Sequence, residues 1–206
     1  MKKHLVTLIK GFMAGVLISI GGIIYLSLDN KIIGATFFSI GLLVICIYQM
    51  NLYTGKVGYA INNKPSYLIE LLLSLIGNYL GTLFMALCIL ATRISNISEK
   101  AKLLANVKLN DSIPSILILS FCCGMLMYIA VNNYKKIKDP VGKYICIFMC
   151  VIVFILSGFE HCVANMFYFN IAKCFTLKMF AYLIIMILGN GLGAIFISAY
   201  DKYLNK

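Results

Sequence analysis

The chain is short of the residues that keep a protein in water. Of its 206 residues only seven are acidic, two are histidine and three are proline, and charged residues of both signs make up 12%. A soluble domain carries about 25% charge, so an ordinary water-facing globule is excluded. No metal centre or cofactor site is expected. Six of the eight cysteines (Cys46, Cys88, Cys122, Cys123, Cys146 and Cys150) sit inside apolar runs without metal-ligand spacing, and they read as small core thiols. The three prolines, Pro65, Pro114 and Pro140, lie in KPSY, SIPS and DPVG, each at or beside the start of an apolar run. A missing N–H costs nothing at the first turn of a helix, so they mark starts.

Apolar sequence is abundant. Hydrophobic residues make up 62% of the chain, and the mean hydropathy is +0.94. At about 20 residues per membrane crossing the length admits six or seven helices and no large extramembrane domain. Six stretches emerge: 8–27, 33–62 with an interruption, 66–92, 114–133, 142–172 with an interruption, and 177–199. The opening, MKKHLVTLIKGFMAGVLISIGG, resembles a signal peptide, but its apolar run continues to Ser27 and five more follow. It is therefore expected to be a retained first span. The fold class expected is an all-α membrane protein with six transmembrane helices, one transmembrane domain over residues 1–206.

The net charge of +11 comes from lysines scattered between the runs. That pattern is a topology signal, and nucleic acid is not expected as a partner. With the N-terminus inside, Lys2, Lys3, Lys10, Lys56, Lys64, Lys135, Lys136, Lys138, Lys143, Lys202 and Lys206 share one face; Lys31, Arg93, Lys100, Lys102, Lys108, Lys173 and Lys178 share the other. The bias predicts both termini in the cytoplasm and residence in the inner (plasma) membrane.

Stretches two and five are each too long for one crossing and carry polar residues midway. They read GATFFSIGLLVICIYQ-MNLYTG-KVGYAI and KYICIFMCVIVFILS-GFEHCVANMF. Irregular backbone at membrane depth survives only where it is buried in protein or lines a cavity. The breaks are mirrored: each is followed, at a similar interval, by a span with a GNxxG sequence, Gly77–Gly81 and Gly189–Gly193. Two halves of three spans insert with opposite topology, so inverted repeats are expected over about 5–92 and 113–200. The GNxxG sequences are read as close-packing points between helices.

An ionisable group inside a span is expensive and is a functional candidate by default. Glu160 and His161, in SGFEHCVANMF, are the clearest such pair. His161 is expected to line a pore, and Glu160 to be structural. An intramembrane enzyme using Glu160, His161 and Cys162 is set aside, because adjacency in sequence is not the geometry of a dyad.

The same residues carry a resemblance. SGFEHCVANMF (157–167), FFSIGL (37–42), NLYTG (51–55) and the two GNxxG sequences resemble the formate/nitrite transporter family, which includes hydrosulfide channels, over nearly the whole chain. The resemblance implies a homopentamer of aquaporin-like protomers in the lipid bilayer, each with its own pore for small monovalent anions or their conjugate acids. It implies His161 as the central histidine, with Leu52, Tyr53 and Thr54 in the first break. It further implies one apolar constriction from Phe38, Leu42 and Tyr53, another from Leu52 and Phe154, and a vestibule lysine at Lys108. Structural roles in the breaks fall to Asn51, Glu160 and Asn165. The chain departs from the family at Gly124, where Asn is usual, at Met127, at Asn51, where an acid is common, and at Tyr53, where Phe is. About seven residues precede the first span, so gating by an amphipathic N-terminal segment is not expected.

The function expected is a channel for formate or nitrite in which Lys108 concentrates the anion and His161, with Thr54, supports its protonation between the apolar rings. The alternative is a hydrosulfide or neutral-solute channel without proton transfer.

Overall fold

A computed structural model of the chain describes residues 2–203. These residues form nine α-helices and one 3-10 helix: α1 (Lys2–Ser27), α2 (Lys31–Ile47), α3 (Tyr53–Lys56) running into the 3-10 helix (Val57–Asn62), α4 (Tyr67–Leu90), α5 (Ile97–Leu109), α6 (Ile113–Lys136), α7 (Pro140–Leu156), α8 (Cys162–Ile171) and α9 (Leu177–Tyr203). Only α1, α4, α6 and α9 are long and apolar enough to cross a membrane unaided, while α2, α7 and α8 are shorter apolar helices. The stretch 33–62 is thus divided among α2, α3 and the 3-10 helix, and 142–172 between α7 and α8.

The starts follow local chemistry. Asn30 caps α2 by accepting the N–H groups of Ile32 and Ile33 at 3.0 and 3.1 Å. Ser112 caps α6 by accepting from Ser115 N–H, and Asp139 caps α7 by accepting from Gly142 N–H, each with a proline in the first turn. Beyond α2 the backbone turns at Gln49 (φ 51°) and beyond α7 at Gly158 (φ 69°), both left-handed. That conformation favours glycine and tolerates few side chains.

Helix α5 lies in a segment that hydropathy left as a connection. It forms because Ile97, Ala101 and Ala105 recur every fourth residue and bury one stripe, leaving Leu103 and Val107 exposed. Lys100 on α5 reaches Asp29, between α1 and α2, at 2.8 Å; its hydrogen bond holds the exposed Asp29 carboxyl below its ordinary range.

Packing joins α1 to α4 and α6 to α9 most extensively, with α2 and α7 against each other and α8 at the centre. All ten residues of α8 are buried. The two main crossings are built alike. A Cβ on Gly81 would stand 2.1 Å from the Phe12 carbonyl oxygen, and one on Gly193 would stand 1.9 Å from that of Phe121. Only glycine permits helices this close. Outward faces are apolar, with Phe84 and Leu87 on α4 and Leu192 and Phe196 on α9 exposed. Cys46, Cys123 and Cys150 are buried, whereas Cys88 faces outward from α4, contrary to its reading as a core thiol.

Candidate functional site

The site grows out of the two non-helical segments, 48–52 and 157–161, each held by the same set of hydrogen bonds. Met50 N–H donates to Ile45 O and Phe159 N–H to Phe154 O, both at 2.9 Å. Asn51 N–H donates to Lys10 O and Glu160 N–H to Leu119 O, both at 3.3 Å. An amide side chain completes each set. Asn78 donates to Gly11 O (2.8 Å) and Asn51 O (2.9 Å) and accepts from Tyr53 N–H (2.9 Å). Asn190 donates to Ser120 O (2.7 Å) and Glu160 O (2.8 Å) and accepts from Cys162 N–H (2.8 Å). Both amides are fully buried. Each satisfies three backbone groups that an apolar interior would otherwise leave bare. The sequence reading saw these GNxxG sequences only as packing points; the signal it missed was an amide among apolar residues.

These clamps place Leu52 at the N-cap of α3 and His161 at the N-cap of α8. The His161 ring is 2% exposed. Ala164 N–H donates to its Nδ1 at 3.0 Å, so that nitrogen presents a lone pair and Nε2 carries the single proton of a neutral imidazole. Nε2 lies 2.9 Å from Thr54 Oγ1. Thr54 accepts there, which leaves its own hydroxyl hydrogen to donate elsewhere.

Around this pair the walls are apolar. Phe154 stacks on the imidazole at 5.6 Å between ring centres, and Phe38 meets Phe154 edge-on at 5.8 Å. Leu42 and Leu52 are both buried. Tyr53 ties its hydroxyl to Ile187 O on α9 at 3.2 Å. Phe154 therefore bridges Phe38 and His161.

The charged residues are arranged differently from the expectation. Lys108 on α5 grips both carboxylate oxygens of Glu160, at 2.7 and 2.9 Å, and Asn165 donates to the same carboxylate at 2.6 Å. The Lys108 and Glu160 side chains are only 14% and 5% exposed. Lys108 therefore does not stand as a free charge at a mouth, as the sequence reading had it, because its ammonium is matched by a buried carboxylate 52 residues away in the chain. Glu160 and Asn165 hold the second break together.

Gly124 stands at the α6–α9 crossing, where a Cβ would come 2.1 Å from the Asn190 carbonyl oxygen, so close packing is enough to require glycine there. Met127, one turn on, is buried. Gly124→Ala is expected to lower stability by about 1–3 kcal/mol through overpacking, read as an earlier melting transition in detergent. An unchanged transition would place this residue away from the crossing. Asn51 is buried, donates to Thr7 O (3.3 Å) and accepts from the Lys56 ammonium (2.5 Å).

A bundle of apolar helices that gathers four buried amides (Asn51, Asn78, Asn165 and Asn190), one ion pair and one imidazole around two interrupted segments is a multi-pass integral membrane protein. The model of the formate/nitrite transporter family matches residues 2–203, and the chain belongs to that family, whose members are channels and transporters and not enzymes. It is similar to the formate channel BtFdhC of Bacillus thuringiensis, at 29% identity over 183 residues covering 78% of this chain and 70% of that protein. Among solved structures it resembles a pentameric formate channel with formate bound (TM-score 0.83, 21% identity, 99% of this chain and 98% of that one). It also resembles an FNT family ion channel (TM-score 0.83, 22% identity, 98% and 90%).

Proposed function

We propose that this chain is a channel for small monovalent anions of the formate class, nitrite included, that cross as their conjugate acids. In this reading 1–206 is one channel domain of two inverted repeats, with six crossings in all. Two of the crossings are composite, α2 with α3 and α7 with α8. The protomers assemble as a homopentamer, and both termini lie on the cytoplasmic side of the plasma membrane. Family membership and the formate channels among its relatives support the substrate class.

The observation that carries the mechanism is the neutral, buried His161–Thr54 pair, with Phe154 stacked on the imidazole and Phe38 edge-on to Phe154. An isolated carboxylate stripped of water in such a neck loses tens of kcal/mol in the idealised limit. Neutralising an acid whose pKa is near 4 requires a proton gained about three units below ambient pH, at a cost of roughly 4 kcal/mol. Passage as the acid wins. His161 is not the donor, because losing its Nε2 proton would leave an imidazolate, while protonating Nδ1 would set two N–H groups against each other at Ala164. Water at the entrance supplies the proton, and the Thr54 hydroxyl donates a hydrogen bond to the solute while His161 orients it.

Stopped-flow uptake in proteoliposomes over a panel of formate, nitrite, lactate and hydrosulfide tests this. Formate flux is expected to rise about tenfold for each unit of pH lowered, since the neutral fraction does. Thr54→Val should slow it sharply while leaving the assembly intact. Flux independent of pH would exclude passage as the acid. Because both ring nitrogens of His161 are engaged, the further reading is a hydrosulfide or neutral small-solute channel without proton transfer, and the substrate panel separates the two.

A further inference from the structure

A cavity of about 490 Å³ opens at the mouth opposite the Lys108–Glu160 pair, between α1, α2, α3 and α6. Lys10, Lys56 and Lys135 line it, together with Gln49 and Asn51, and none of its lining residues is a carboxylate. The charges of Lys10 and Lys135 both act on Lys56. Among the described residues, the contacts shown for Lys56 and Lys135 are with neutral or already engaged groups. Lys56 donates to the Asn51 side-chain oxygen (2.5 Å), and Lys135 lies 4.4 Å over the Tyr59 ring with its ammonium 3.3 Å from that hydroxyl. Glu70 lies within electrostatic reach of Lys56 but is paired with Lys3. Three like charges converging on a concave space repel one another, and a counter-ion relieves that repulsion in proportion to its own charge. A monovalent anion cancels one of the three.

The inner wall of this cavity includes Leu52, the buried apolar residue at the head of α3. A multiply charged ion has no route past such a wall, because shedding two charges by protonation is far costlier than shedding one.

We propose that this cavity is a binding site for a small polyvalent oxyanion of the phosphate class, which docks on Lys10, Lys56 and Lys135 without passing and closes that mouth to the transported solute. The blocking half rests on the channel reading above; the binding half stands without it. The oxyanion's source is either free phosphate or the phosphomonoester headgroup of an anionic lipid.

Equilibrium dialysis of the purified protein in neutral detergent, with radiolabelled inorganic phosphate at fixed ionic strength, reads the site directly. One saturable site per chain is expected, weakened at least tenfold by Lys56→Gln and by Lys135→Gln. Lys56→Arg and the exposed α5 change Lys100→Gln should both retain it. Absence of saturable binding, displacement by equimolar chloride, or equal weakening by Lys100→Gln would overturn the site. Repeating the titration in phosphatidylcholine nanodiscs with and without phosphatidic acid, whose phosphomonoester headgroup can carry two charges, separates the sources: competition by phosphatidic acid assigns the site to a lipid headgroup, and unchanged affinity assigns it to the free ion. Phosphate on the lysine side should then slow formate flux in wild-type proteoliposomes but not in Lys56→Gln. Binding without slowing overturns the blockade, and because binding is scored in the absence of flux, a chain that conducts no formate at all would still test the site.

Discussion

Lys108→Met is expected to destabilise the protein by about 3–5 kcal/mol, because it strands the Glu160 carboxylate, 5% exposed, without a counter-charge. Asn165 donates to that carboxylate, but one neutral donor does not replace an ammonium bonded to both oxygens. The second change Glu160→Gln should therefore recover most of the loss, since an amide at 160 needs no cation. Thermal unfolding in detergent, run on both single variants and on the double variant, measures the coupling. If Lys108 served mainly to gather anions, Lys108→Met would melt like the wild type and show only a weaker apparent affinity for the solute. A cycle with no coupling energy would remove the pair from the account of the second break.

Asn190→Leu and Asn78→Leu should each cost several kcal/mol. Each strips partners from two backbone carbonyls and one backbone N–H, and a buried group left bare costs about 1–3 kcal/mol. No water reaches these positions to soften the loss, as both side chains are fully buried. Asn106→Leu, on an exposed face of α5, serves as the control and should be close to neutral. Because the two clamps hold different halves, loss of only one half's order is also measurable: hydrogen exchange at Tyr53 should rise in Asn78→Leu, and at Cys162 in Asn190→Leu. Indifference of both variants would mean that the segments 48–52 and 157–161 hold their shape by packing alone.

Much of the architecture was legible because lipid constrains sequence severely. Apolar runs, prolines at helix starts and the two polar interruptions all answer to the price of bare backbone in hydrocarbon. The interruption residues stood out in the sequence as polar places in apolar runs, whereas their partners did not. Asn78 and Asn190 act across 27 and 30 residues, on Asn51 and on Glu160, and no local pattern announces such a bond. The Lys108–Glu160 pair lay hidden for the same reason, and hydropathy counted Lys108 as a loop charge because α5 is too polar to register as a buried helix. Lys10, Lys56 and Lys135 were each tallied as topology signals; only the fold gathers them round one cavity. Gly124 was weighed by what other family members carry there, whereas its own neighbour, the Asn190 backbone, decides the residue.

The unequal charging of the two mouths has an electrical consequence. One entrance holds three ammonium groups without an opposing carboxylate in its lining, and the other a lysine already neutralised by Glu160. On the channel reading proposed above, a conduit so biased is expected to rectify: at equal gradients, a negatively charged solute enters faster from the lysine side, where its local concentration is raised. Raising the ionic strength to about 1 M shrinks the screening length to roughly 3 Å, and flux in the two directions should then converge.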